Sequence, residues 1–187
     1  MTGNRLWNLI LKLGLIFWLY SGKLLLTLFH ALFWEIELPY ARKQYIHSIR
    51  AIKSLVQLQD SLSHHFNYRN DPFGGAWDYY YLPHITWALR RGDCDDFAWM
   101  AADALARNGI TAMMVSFIPA RITESHVIVI YKINKRWHWC EVGYWNDDGN
   151  PNPKAALMDA ADSLGGARAV YYQSIVSINR AGEEFIQ

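Results

Sequence analysis

The run Gly92-Asp93-Cys94-Asp95-Asp96 sets a thiol directly behind a turn and at the head of a helical pattern, which is a place where covalent chemistry is expected. From Cys94 onward, apolar Phe97, Ala98, Ala101, Ala102, Leu105 and Ala106 recur at intervals of three and four, and Asn108-Gly109 stops the pattern as a C-terminal cap does. A helix is therefore expected from about Asp93 or Cys94 to near Asn108, with Asp93 as its N-cap. The first turn of such a helix carries N–H groups with no intrahelical acceptor and the positive end of the dipole, so it favours a thiolate over a thiol. The same N–H groups are placed to donate to an oxyanion during acyl transfer. Asp95 and Asp96 act against the thiolate, because neighbouring anions raise a thiol's pKa. A nucleophile at Cys94 thus needs an imidazole close by.

The elements that follow offer one. Residues 111–118 are strand-like, and His126 opens a run rich in β-branched residues that continues to Ile133. Asn134-Lys135 then makes a tight turn into a further strand from Arg136. With Asn134 and Lys135 in the turn, Ile133 faces Arg136, Ile128 faces Glu141 and His126 faces Gly143. Alternation of side chains puts His126 and Glu141 on one face as diagonal neighbours, and His138 and Cys140 on the other. A carboxylate beside an imidazole holds its tautomer and stabilises its protonated form. A slip of one residue in register would part the pair.

Gly92-Asp93-Cys94-Asp95-Asp96-Phe97-Ala98 resembles the nucleophile motif of the transglutaminase-like superfamily, and His126-Val-Ile-Val-Ile-Tyr is similar to the histidine-led strand that follows it there. Trp137 and, four positions later, Glu141 match the tryptophan and acidic residue that close the unit, although the family usually has the shorter Asp in the last place. The likeness covers about residues 70–145 and extends to the bacterial transglutaminase-like cysteine peptidases. It implies an α+β fold with a papain/transglutaminase-like core, the nucleophile at a helix N-terminus packed on an antiparallel sheet, and extra N-terminal helices. It also implies thiol chemistry on the amide carbonyl of a protein or peptide, with no cofactor. Cys94 attacks, His126 takes the thiol proton and returns it to the leaving amine, and Glu141 orients His126. Water then makes the enzyme a peptidase or amidase, an amine makes it a transamidase, and a scaffold that binds a partner without catalysis is the third reading.

Other side chains compete for roles. Trp77, in the aromatic-rich loop between His65 and Pro83, and Trp87 just beyond it are candidates to line a substrate cleft or donate to an oxyanion, against the plainer reading that they cover the core. Asn146, Asp147 and Asp148 rival Glu141 as third member but stand in a Gly/Asn/Pro-rich loop. Asp-Cys-Asp-Asp lacks the paired spacing of a zinc site, and His138 with Cys140 supplies only two ligands, so no metal is expected. Two cysteines do not make a disulfide framework, and both are expected as free thiols. Tyr171-Tyr172 and residues 175–178 read as a last strand without chemistry.

At 187 residues the chain suits one domain with a terminal addition. Its 52% apolar and 19% charged content argues against disorder. With 18 basic against 17 acidic side chains and no basic stripe, nucleic acid is not an expected partner. Residues 6–34 are mostly apolar, with Asn8, Lys12, Lys23, Thr27 and His30 gathered in a narrow polar stripe at helical spacing. Lys12 and Lys23 interrupt any window of about 20 apolar residues, and no small-residue cleavage site follows. An amphipathic helix lying in a membrane surface, or packed on a partner protein, fits the stripe. Residues 39–65 read as a further amphipathic helix whose basic face, with Arg42, Lys43, His47, Arg50 and Lys53, suits acidic headgroups or solvent. The organisation expected is an apolar helical segment over 1–38 and a catalytic domain over 39–187. Its place is at a membrane through that segment, or otherwise the cytoplasm.

Overall fold

Alternating apolar residues in the strands and three-four spacing in the helices build two packed faces around one sheet. The structure is a computed structural model that describes residues 32–70, 81–119, 126–165, 167–172, 176–178 and 184–186. The apolar segment up to residue 31 and Trp77 lie outside the described residues. Among the described residues, no helix is long and apolar enough to cross a membrane.

Helical residues 32–37 lead through a turn into α1 (Ala41–Ala51) and α2 (Leu55–His65). The single helix expected over 39–65 is therefore two. The break has a local cause: Ile52 is extended, the Ser54 hydroxyl accepts from the Gln57 N–H at 3.2 Å, and the Gln57 side chain accepts from the Lys53 N–H at 2.9 Å. This reciprocal capping starts a new helix and re-aims the chain, so that Leu58 and Leu62 join Tyr45 and Ile49 in the core. Next come β1 (Asn67–Tyr68), α3 (Pro83–Leu89) and β2 (Arg91–Gly92), with β1 and β2 paired in parallel. Pro83 sits in the first turn of α3, where its missing N–H costs nothing, and Arg90 ends the helix in the left-handed region.

α4 (Cys94–Arg107) then packs against a five-stranded antiparallel sheet of β3 (Thr111–Pro119), β4 (His126–Ile133), β5 (Arg136–Glu141), β6 (Tyr144–Trp145) and β7 (Ala167–Tyr172), in the order β6-β5-β4-β3-β7. Alternate residues of β4 serve opposite faces. Val127, Val129 and Tyr131 pack with Phe97, Ala101 and Leu105 of α4, whereas Ile128 and Ile130 pack with Trp139 and with Ala156, Leu157 and Ala160 of α5 (Pro153–Ser163). β4 is thus covered on both sides, and each fully buried aliphatic or aromatic side chain contributes about 2–3 kcal/mol of transfer free energy. The fold is α+β. Tyr171 and Tyr172 close β7 beside β3, while β8 (Val176–Ile178) pairs with β9 (Glu184–Ile186) instead of continuing the sheet.

Polar ties fix the helices on this frame. The Tyr45 hydroxyl donates to Asp103 at 2.7 Å, and Arg107 donates to the same carboxylate through Nε at 2.6 Å, which joins α1 to α4. The Trp139 indole donates to Asp159 at 2.9 Å and joins β5 to α5. Helical residues 32–37 meet α3 through Glu35 and the buried His84, 2.6 Å apart, and Trp34 lies edge-on to Tyr81.

Candidate active site

Asp93 organises the turn that presents Cys94. Its carboxylate accepts from the Asp95 and Asp96 N–H groups, and its own N–H donates to the Asp96 carboxylate, so the helix opens with a complete capping box. Asp96 is fully buried, and its other carboxylate oxygen accepts from the Tyr81 N–H at 2.6 Å. Gly92 is required by close approach: a Cβ there would lie 2.5 Å from both Cβ and Oδ2 of Asp96. The cap has a chemical consequence. The first-turn amides of Asp95 and Asp96, expected from the sequence to face an oxyanion, are taken up by Asp93, and the Phe97 N–H bonds to the Asp93 carbonyl. The Cys94 backbone N–H favours the ionised form of its own sulfur, though less than that of Val127.

The backbone N–H of Val127, the residue after His126, lies near enough to the Cys94 sulfur to favour its ionised form. The thiol at the helix start is thereby placed at the N-terminal end of β4. Burial pushes the Cys94 thiol up to about 12, and Asp93 and Asp95 push in the same direction. The lowered pKa expected from the helix terminus is thus overturned. Desolvation of a thiolate outweighs the two backbone N–H groups that favour it. Cys94 rests as a thiol.

Strands β4 and β5 take the register expected from their turn. Asn134 and Lys135 have φ of 50° and 65°, the left-handed pair of a two-residue hairpin, and Ile133 faces Arg136. His126 Nε2 donates to Glu141 Oε2 at 2.7 Å, and each side chain keeps 21% of its surface exposed. With Nε2–H engaged by the carboxylate, a neutral imidazole holds its lone pair on Nδ1. The added methylene of Glu141 spans the diagonal between strands.

His138 and Cys140 lie on the opposite face. His138 stacks on Tyr131, and Cys140 is buried in the core, where burial and Glu141 hold its thiol well above the ordinary range. Asn146 is buried, with its N–H bonded to the Trp139 carbonyl, while Asp147 and Asp148 are exposed. Trp87 packs against Tyr45 with ring centroids 5.8 Å apart and borders the main core. Carboxylate oxygens of Asp93, Asp95 and Asp96 lie within 4.8 Å of one another. The capping box accounts for the nearness of Asp93 and Asp96. Sequence reasoning missed Tyr81 and Val127, which act through backbone amides that carry no residue signature. It took Asp93 as a simple cap, although the Asp93-x-x-Asp96 spacing signals the reciprocal arrangement.

No protein-family profile matches the chain, and no curated protein does. Among solved structures it is similar to calcium-bound LapG of Legionella pneumophila, at 20% identity and a TM-score of 0.43 over 55% of this chain and 62% of that one. A further structure of Legionella pneumophila LapG aligns at 18% identity and a TM-score of 0.41 over 65% and 84% of the two chains. A TGase aligns at 20% identity and a TM-score of 0.39 over 56% of this chain and 31% of its own. The chain therefore spans less than two thirds of the first of these structures.

Proposed function

We propose that the chain is a cysteine-dependent amide hydrolase or peptidase that works through an acyl-thioester on Cys94. The observation that carries this reading is the His126–Glu141 pair, 2.7 Å apart at the start of β4, one residue from Val127, whose backbone N–H favours the ionised form of the Cys94 sulfur. In the first step His126 Nδ1 takes the thiol proton as sulfur bonds to the amide carbon. The C–N bond then breaks and the imidazolium returns the proton to the leaving amine. Water attacks the thioester with His126 as base, the C–S bond breaks, and sulfur leaves as the thiol. Because Cys94 rests protonated, proton removal accompanies attack; no standing thiolate–imidazolium pair is needed. The Glu141 carboxylate stabilises the imidazolium in each half-reaction.

An activated ester tests the chemistry without a known substrate. Mixing the chain with p-nitrophenyl acetate gives a stoichiometric burst of p-nitrophenolate, and peptide mapping finds the acetyl group on Cys94. The burst is absent in Cys94→Ala and strongly slowed in His126→Ala. Equal acylation of wild type and Cys94→Ala refutes the reading and leaves a binding scaffold. Cleavage of a peptide mixture in the presence of a primary amine then separates the outcomes, since amine-capped products mark a transamidase and free carboxylates a hydrolase.

A further inference from the structure

We infer that the surface formed by helical residues 32–37 and one side of α1 docks on an anionic lipid bilayer. The inference is independent of the catalytic reading. Leu32, Ile36 and Tyr40 are 62%, 68% and 71% exposed, and Phe33 stands out beside them. Tyr40, Lys43, His47 and Arg50 follow at intervals of three and four, so they form one stripe along α1. The stripe lies opposite Ala41, Tyr45 and Ile49, the buried side of the helix. Its members line an open groove together with Gln44 and Ile46. Protruding apolar side chains beside a row of cations match the boundary between acyl chains and headgroups.

The charge distribution selects an anionic surface. Residues 1–59 hold seven Lys and Arg against two acids, Glu35 and Glu37, whereas residues 60–187 hold eleven against fifteen. Glu35 is paired with His84, and Glu37 is the other acid of this segment. The near-neutral total conceals a cationic end, and that end adjoins the apolar stretch that begins at Leu6. Each Lys or Arg near an anionic bilayer adds about 1 kcal/mol, or roughly fivefold in partition, so neutralising two weakens binding about thirtyfold.

The test is flotation of the full chain with vesicles of phosphatidylcholine alone and of phosphatidylcholine with phosphatidylglycerol. The readout is the ratio of the two partition coefficients, which cancels apolar binding common to both. Lys43→Gln/Arg50→Gln lowers the ratio about thirtyfold, added salt does the same to wild type, and Lys132→Gln/Lys135→Gln on the β4–β5 hairpin leaves it unchanged. Ile36→Asn/Tyr40→Asn weakens binding to both vesicle types. Circular dichroism and urea unfolding verify the fold of each variant. An unchanged ratio in Lys43→Gln/Arg50→Gln, or equal loss in the hairpin control, overturns the inference. So does a lipid-free dimer that the same substitutions dissociate, since the face would then belong to a second copy.

Discussion

Shortening Glu141 by one methylene, to the Asp more usual in proteins that this site resembles, should impair the chain. Oε2 of Glu141 lies 2.7 Å from His126 Nε2. Removing one C–C bond of about 1.5 Å draws the carboxylate back to roughly 4 Å, beyond hydrogen-bond reach. A hydrogen bond to a charged group is worth about 1.5–3 kcal/mol, so Glu141→Asp should slow Cys94 acylation roughly 10- to 150-fold. Glu141→Gln should do worse despite keeping the length. Its amide can turn its NH2 toward Nε2, which puts the ring proton on Nδ1 and blocks the lone pair that receives the thiol proton; the same tautomer error in a serine protease costs about 10⁴. Single-turnover p-nitrophenolate release measures both variants, and urea unfolding separates catalysis from stability. Acylation by Glu141→Asp within about twofold of wild type, against the predicted loss, or full activity in Glu141→Gln, refutes the orienting role.

Three further outcomes follow from the same structure. Gly92→Ala forces a methyl group to within 2.5 Å of Asp96 and endangers the buried carboxylate's bonds to Tyr81 and Asp93; urea unfolding should show a loss of about 3 kcal/mol, and a loss below about 1 kcal/mol would mean that Asp96 yields freely. The raised Cys94 thiol keeps its proton in the folded chain up to about pH 12. The unfolded thiol loses its proton from about pH 8.5, so stability from this group is present below that pH and is lost as pH rises toward the folded value. Cys94→Ala should remove a slope of about 1.4 kcal/mol per pH unit in that window, and an unchanged slope in urea titrations at pH 9 and 10 refutes the buried thiol. Asp103→Ala leaves the Tyr45 hydroxyl and Arg107 without their shared carboxylate. It should cost about 3 kcal/mol against about 1 for Tyr45→Phe, with equal costs in thermal or urea unfolding counting against the network.

Local chemistry made much of the site legible in advance. The apolar spacing after Cys94 and the Asn108-Gly109 stop bounded α4, and the Asn134-Lys135 turn set the β4–β5 register. From that register the meeting of His126 and Glu141 followed, because side-chain alternation leaves no other face for them. Less was legible where short segments decide. Residues 39–65 keep one amphipathic pattern through the break at Ile52, and the competing caps of Ser54 and Gln57 end it. α3 and α5 were not anticipated, although Pro83 at the first turn of α3 and Asn152 capping α5 are local signals.

By itself, the sequence determined α4, the β4–β5 hairpin and the order of the reactive groups, since periodicity, caps and turn residues act over a few positions. The tertiary structure decided the state of the nucleophile. The dipole and first-turn amides at Cys94 favour a thiolate, and local reasoning expected one. Packing α4 onto β4 instead removes water from the sulfur, sets the Val127 N–H against it and encloses Asp96 beneath the cap. Desolvation depends on what the rest of the chain brings near, and no short window of residues contains that information.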